Sequence, residues 1–230
     1  GLDVDYDDEH GSNDGTNSGS TLNATIYGDN APQIPRILDV ASPKQAVQLA
    51  DGSTSFDGSD DNVTIPASSD FAFGTGNLSI SFWFARSGAG DHNNELIYAN
   101  RGSSGDYFQI YHNLSGNEIQ TQLSVSGVLT QENFGIDLSS DTGWHHYVLV
   151  RSGTTWSWYL GGSSQTLTTD SSAGTAVGVA DKHLTLGSRD TGSGASRCMN
   201  GKLANVSIHS SALTQTQVQE LMFTEKYAGL

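Results

Sequence analysis

The chain has 230 residues, 35% hydrophobic and only 15% charged, and its 25 Asp and Glu against 10 Lys and Arg give a net charge of −15. That balance, with no basic stripe, argues against nucleic acid as a partner; the lone Cys198 excludes an internal disulfide, and no run of about 18 apolar residues is present to insert into a membrane. Polarity is carried by Gly, Ser, Thr and Asn, the residues of turns, so the composition predicts many short strands in one domain spanning 1–230.

Residues 1–20 form an acidic, turn-rich segment in which Leu2, Val4 and Tyr6 alternate with aspartates in the manner of an edge strand. The chain opens at Gly1 without an initiator Met or a basic leader, and is expected to be a segment of a longer polypeptide or a processed product. Apolar alternation predicts strands over 21–27 and 45–49. Residues 52–66 then read as a strand, a tight acidic turn containing Asp57, Asp60 and Asp61, and a second strand. Strict period two places Leu78, Ile80, Phe82 and Phe84 on one face of the next strand. Antiparallel strands follow over 95–99, 107–112, 119–125 and 128–130, separated by Gly, Ser and Asn.

The runs 143–150 and 155–162 are rich in aromatic and β-branched residues and read as a hairpin about a polar break, Arg151 to Thr154. Within it His145 and His146 point to opposite faces, one toward the core and one exposed, so they do not share a metal. Trp144, Trp156 and Trp158 are expected in the core, and Cys198 as a small core residue. Strands over 184–188 and 200–208 complete the β region. A helix closes the chain over 214–226: Thr214 and Gln217 have the spacing of a capping box, and Val218, Leu221 and Met222 form one apolar stripe.

These motifs in this order, S-F-D-G-S-D-D-N-V-T-I-P, L-S-I-S-F-W-F, W-H-H-Y-V-L-V, L-T-L-G-S, N-G-K-L-A-N-V-S-I and S-A-L-T-Q-T-Q-V, resemble the laminin-G-like domains of concanavalin A-like jelly rolls. The resemblance covers nearly the whole chain. It implies an all-β, antiparallel sandwich with one short C-terminal helix, and a binding role in adhesion to a carbohydrate or host surface. Similar modules occur in structural proteins of tailed bacteriophages and in bacterial adhesins, which implies a virion-surface or extracellular location and partners among other subunits of an assembly. Two alternatives stay open: an architectural virion or capsid-decorating component without a ligand, and a glycoside hydrolase or lyase of the same fold.

Against catalysis, Glu95, Glu118 and Glu132 lie on separate elements, whereas a retaining glycosidase needs two carboxylates about 5 Å apart. Many relatives carry one Ca²⁺ at the rim, supported by an I-D-E-V strand. Here that strand reads Leu203-Ala204-Asn205-Val206 and lacks both acids. Asp57, Asp60 and Asp61 offer the oxygen donors that Ca²⁺ prefers, with Asn205 as a further candidate; the competing reading is a hydrogen-bonded acidic turn. For a glycan the candidates are Asp91, His92 and Asn94 in one loop, Arg101, Asp106 and Tyr107 in a second, and Arg189 and Asp190 in a third. Small polar loops on rigid strands present such groups to sugar hydroxyls.

Overall fold

The computed structural model describes residues 16–18, 21–23, 53–68, 74–88, 94–100, 107–175, 177, 183–190 and 195–227. The strands expected at 2–6 and 45–49 lie outside them. In chain order come β1 (Thr16–Ser18), β2 (Thr21–Asn23), β3 (Ser53–Asp57), β4 (Asn62–Ile65), β5 (Leu78–Arg86) and β6 (Asn94–Asn100). Next are β7 (Tyr107–Asn113), β8 (Glu118–Val125), β9 (Val128–Gly135), β10 (His145–Ser152), β11 (Thr155–Leu160) and β12 (Ser163–Ser164). Last come β13 (Thr169–Asp170), β14 (Leu184–Leu186), β15 (Arg189–Asp190), β16 (Ala195–Ser196), β17 (Asn200–His209) and the helix α1 (Gln215–Tyr227).

The strands form an eight-stranded sheet ordered β1-β4-β14-β6-β7-β8-β9-β13, a seven-stranded sheet ordered β12-β11-β10-β5-β17-β3-β2, and the small hairpin β15-β16. Every pairing is antiparallel, and the two large sheets enclose one core, the jelly-roll sandwich expected from the sequence. Leu78, Ile80, Phe82 and Phe84 of β5 all enter that core, as period two requires. They meet Ile97 and Ala99 of β6, Phe108 and Ile110 of β7, Phe134 of β9, and Tyr147, Trp156 and Trp158 of the β10-β11 hairpin. The aromatic rings interlock: Phe82 stacks on Tyr147 with centroids 5.4 Å apart, and Phe134 tilts against Trp158 at the same distance. Cys198 is buried, as expected.

The other face of the seven-stranded sheet is covered too. Val218 of α1 is fully buried against Val148 and Val150 of β10, a burial that contributes roughly 1.5–3 kcal/mol, while Met222 packs near Trp83, Trp144 and Ala204. The capping box forms: the Gln217 amide N–H donates to Thr214 Oγ1 at 3.3 Å, and the Thr214 amide N–H donates to Gln217 Oε1 at 2.9 Å. Ser79 Oγ fastens the lead-in to the helix, donating to the Ser211 carbonyl at 2.8 Å and accepting from the Leu213 N–H at 2.9 Å. One expectation is corrected here. His146 is not exposed: it is buried, 2.7 Å from Ser81 Oγ and with its ring 5.1 Å from that of Trp83, because α1 covers the face to which it points. β5 and β10 are thus buried on both sides, and on the side of the eight-stranded sheet away from the core Glu95, Tyr98, Gln109 and Asn133 are buried as well.

Candidate functional site on the outer side of the eight-stranded sheet

Alternation along β6 to β9 sends apolar side chains into the core and polar ones to the other side. The register lines the polar ones up. One row runs Thr64, Thr185, Tyr98, Gln109, Gln122 and Gln131 across β4, β14, β6, β7, β8 and β9. The next runs Glu95, Tyr111, Gln120 and Asn133, and a third holds Tyr107, Ser124 and Leu129. Gln109 Nε2 donates to Gln122 Oε1 at 2.6 Å, Asn133 Nδ2 donates to Gln131 Oε1 at 3.4 Å, and Gln120 Nε2 donates to Glu118 Oε2 at 2.7 Å. The Tyr111 hydroxyl donates to Gln120 Oε1. The acceptors Gln109 Oε1 and Asn133 Oδ1 are buried without a protein partner, a condition that costs about 1–3 kcal/mol per group.

The hairpin β15-β16 and the residue that follows it bring two arginines onto this face. The Arg189 guanidinium lies 5.2 Å from the ring centroids of both Tyr98 and Tyr107, and that of Arg197 lies 5.9 Å from Tyr111. Burial pushes the Tyr98 phenol up, against the opposing effect of its hydrogen bond with Arg189. Burial and then the charge of Glu95 push Tyr111 up to about 12. Both phenols are therefore neutral donors at physiological pH. Flat rings, carboxamides and a held guanidinium are the groups that recognise hydroxyl-rich ligands.

The loop candidates divide. Tyr107 and Arg189 are brought together, as just described. Asn94 is fully buried and committed elsewhere: its Oδ1 accepts from the Asn200 N–H at 2.8 Å and its Nδ2 donates to the Gly88 carbonyl at 3.5 Å, so it ties loop ends instead of meeting a ligand. Asp91, His92, Arg101 and Asp106 lie outside the described residues, and Asp190 is described only as a member of β15. The amides of Gln109, Gln120, Gln122, Gln131 and Asn133 were not among the candidates. Their signal was present as Gln and Asn at alternate positions of three consecutive strands.

The acidic turn gathers at the strand ends. Asp57, Asp60 and Asp61 each place a carboxylate oxygen within 4.8 Å of the others. Asp61 Oδ2 accepts from the Asp57 N–H at 2.9 Å, and Asp57 Oδ1 accepts from the Ser59 N–H at 2.8 Å. Burial, then the neighbouring Asp57 and Asp60, raise the Asp61 carboxyl above its ordinary range. Three hard oxygen donors this close, two of them accepting from backbone N–H groups, fit a calcium ion chemically. Asn205 is not beside them. β17 pairs Asn200 with Asp57, so Asn205 sits five residues further on, about 16 Å along the strand at roughly 3.3 Å per residue. Asn200 adjoins the turn instead: a Cβ at Gly58, whose φ is +89°, would meet the Asn200 Cβ at 3.0 Å.

The carboxylates do not converge as a catalytic pair. Glu132 faces the core side, where its Oε1 accepts from the Ser171 and Ser172 N–H groups at 2.9 and 2.6 Å; burial pushes it up to about 7. Glu95, which is buried, and Glu118 share the outer side of the eight-stranded sheet but stand two strands and two residues apart, about 12 Å at the backbone. Glu118 is also turned to Thr168 Oγ1, which donates to it at 2.8 Å.

The architecture is that of a sandwich whose eight-stranded sheet carries tyrosines and amides on the side away from the core, most of them buried and with Tyr107, Gln122 and Gln131 half-buried among them. The chain belongs to the concanavalin A-like lectin/glucanases superfamily, whose laminin G family model matches residues 57–219. Solved structures share the fold. The heptameric SAP-like pentraxin from Limulus polyphemus matches with a TM-score of 0.52 at 17% identity, over 73% of this chain and 80% of that one. Domain 4 of AbnA, a GH43 extracellular arabinanase from Geobacillus stearothermophilus solved with arabinotriose, matches with a TM-score of 0.56 at 14% identity, over 88% and 87%. The binding domain of botulinum neurotoxin serotype D matches with a TM-score of 0.55 at 13% identity over 88% of this chain, which spans only 46% of that domain. No curated protein matches the sequence. Among the described residues no helix is long and apolar enough to cross a membrane.

Proposed function

We propose that this chain is a non-catalytic glycan-binding module that attaches a larger assembly, at a virion surface or in an extracellular setting, to a cell-surface polysaccharide. The observation that carries the reading is Arg189 held over the rings of Tyr98 and Tyr107 beside the amide rows. Family membership and the binding domains among the structural neighbours support it, as does the separation of Glu95 from Glu118 on the eight-stranded sheet. The loops bearing Asp91, His92, Arg101, Asp106 and Asp190 border the ligand in this reading. Titration calorimetry against a polysaccharide panel tests it. Wild-type protein binds at least one glycan without releasing reducing ends, and Arg189→Ala weakens that binding about tenfold, the equivalent of about 1.4 kcal/mol. A folded wild-type protein that binds none at millimolar sugar overturns the proposal in favour of an architectural role, and turnover overturns it in favour of a hydrolase.

Calcium is the proposed companion ion, held by Asp57, Asp60 and Asp61; it would fix the turn that links β3 to β4 and take no part in any reaction. Protein stripped with chelator is expected to melt a few degrees higher when Ca²⁺ is restored at ten times its Kd, since binding then adds about 1.4 kcal/mol. Asp60→Asn removes the response in this reading. A melting curve indifferent to millimolar Ca²⁺ refutes the site.

A further inference from the structure

We propose that the short edge strand β13 is a pH-sensitive latch: neutral Glu132 holds it shut, and ionised Glu132, set opposite Asp170, lets it open. Glu132 of β9 and Asp170 of β13 are direct cross-strand partners, so their Cβ atoms are about 5 Å apart and two negative charges there oppose the pairing. Glu132 is fully buried and Asp170 is exposed. A pair so placed meets no substrate, and its consequence is mechanical. β13 pairs with β9 through Thr169 and Asp170 alone, and Glu132 extends that grip. Its Oε1 accepts from the Ser171 N–H at 2.9 Å and from the Ser172 N–H at 2.6 Å. A neutral carboxyl does this with its carbonyl oxygen and keeps its proton on Oε2, which is buried without a partner, as is Oγ1 of Thr121, the residue opposite on β8. An ionised carboxylate instead leaves a bare charged oxygen in that dry place, a cost it escapes by reaching water. Beyond β9 the sheet holds only β13, so water enters where β13 parts from it.

The groups around Glu132 give the ionised form little relief. β8 offers Thr121 on this side, while its Glu118 lies on the outer side and is bound to Thr168. β11 offers Trp156 and Trp158, whose indole N–H groups donate to the Ser172 and Glu132 carbonyls at 3.2 and 3.3 Å. The Arg151 cation of β10 is spent on the carbonyls of Gly74, Gly76 and Thr175. Burial, and after it the Asp170 charge, outweigh the two N–H bonds, which is why the carboxyl titrates at about 7 and not at 4.5. A carboxyl raised in this way adds stability that is present in full below 4.5 and is lost as pH rises through about 7. The closed edge is therefore the acidic form.

Thermal melts of wild type, Glu132→Gln and Asp170→Asn at about pH 5 and about pH 8 test the latch, with hydrogen exchange of the Ser171 and Ser172 amides as the local readout. Glu132→Gln is a permanently neutral mimic. It is expected to melt with the wild type at the lower pH and about 4 °C above it at the higher, the equivalent of about a tenfold change in the unfolding constant. Asp170→Asn, a substitution at an exposed position, is expected to recover part of that gap at the higher pH and to change nothing at the lower. The two amides should exchange about tenfold faster in wild type than in Glu132→Gln at the higher pH and alike at the lower; comparison at one pH cancels the intrinsic dependence of exchange. A gap between wild type and Glu132→Gln that is equal at both pH values, a wild type that gains on the variant as pH rises, or amides that exchange alike at the higher pH overturns the proposal. If Glu132→Gln does not fold, Asp170→Asn decides, and its indifference at the higher pH overturns the proposal as well.

Discussion

Arg151→Ala is expected to destabilise the protein by about 4 kcal/mol. Arg151 lies almost wholly buried at one end of the sandwich, at the opposite end of β10 from His145. Its Nε donates to the Gly76 carbonyl at 2.7 Å, one terminal nitrogen donates to the Thr175 carbonyl at 2.9 Å and the other to the Gly74 carbonyl at 2.9 Å. The same guanidinium stands 5.2 Å from the Trp156 ring, and burial lowers its pKa from the ordinary value. One cation thus ties together two loop segments that are otherwise joined by the isolated bridge of Gly74 with Val177. Truncation removes the side-chain donor from three inward carbonyls, of which the Gly74 carbonyl keeps the Val177 N–H at 2.7 Å, and opens a cavity beside Trp156. Hydrogen bonds to a charged group contribute about 1.5–3 kcal/mol each before the charge's own desolvation is subtracted, which sets the scale. Arg151→Lys restores the charge but reaches fewer of the three acceptors, so it should recover only part of the loss. Urea unfolding measures both variants; a loss below about 1 kcal/mol for the alanine variant, the size of an ordinary surface substitution, refutes this account.

Arg151 also shows where the sequence was a partial guide. Read alone, Arg151 to Thr154 is a polar break between two apolar runs. In the fold β10 continues through Ser152 and only Gly153 and Thr154 make the turn. A buried charge is invisible to a pattern argument, because its partners are backbone carbonyls, two of them 75 and 77 residues earlier in the chain and one 24 residues later, and are not marked by any side chain. His146 failed for a related reason: alternation gives its face correctly, but whether that face meets water depends on a helix some 70 residues later. Local alternation did suffice for the β5 core residues, for Trp156 and Trp158 and for the capping box, where each partner is near in sequence or dictated by period two, whereas Trp144 is only partly buried, outside the sandwich core.

The outer side of the eight-stranded sheet was legible in pieces only. Tyr107 and Arg189 drew notice as loop residues, yet what joins them is the register of β6 with β7 and the placement of β15, which no periodicity encodes. The glutamines stood at the polar positions of strands already identified and were passed over because polar strand positions normally face water. Their meaning lies in the pairing of three strands. The acidic turn was the reverse case: sequence neighbours supply its whole geometry, so Asp57, Asp60 and Asp61 were found together, while Asn205, placed by analogy of motif, was set apart by the register of β17.

Gly187→Ala is expected to cost about 3–5 kcal/mol, through two separable effects. Gly187 has a φ of +83°, which an L-residue adopts only under strain, and a Cβ there would lie 2.2 Å from two carbons of the Phe56 ring. Phe56 is itself part of the core and has no free space into which to retreat. The glycine is held from both sides, its N–H donating to the Leu96 carbonyl at 3.1 Å and its carbonyl accepting from the Met199 N–H at 2.8 Å. It is followed after one residue by Arg189, and Phe56 is followed directly by Asp57, so this close approach couples the guanidinium on the outer side of the eight-stranded sheet to the acidic turn. A displaced peptide at 187 should therefore weaken the proposed glycan binding in the fraction that still folds. Phe56→Leu in the Gly187→Ala background separates the effects: the smaller side chain relieves the collision and leaves the backbone strain. The double variant is expected to be more stable than the sum of the two single losses requires, by about 1–2 kcal/mol. Strict additivity would mean that the ring and the glycine do not share space, and a neutral Gly187→Ala would mean that the turn accepts a side chain after all.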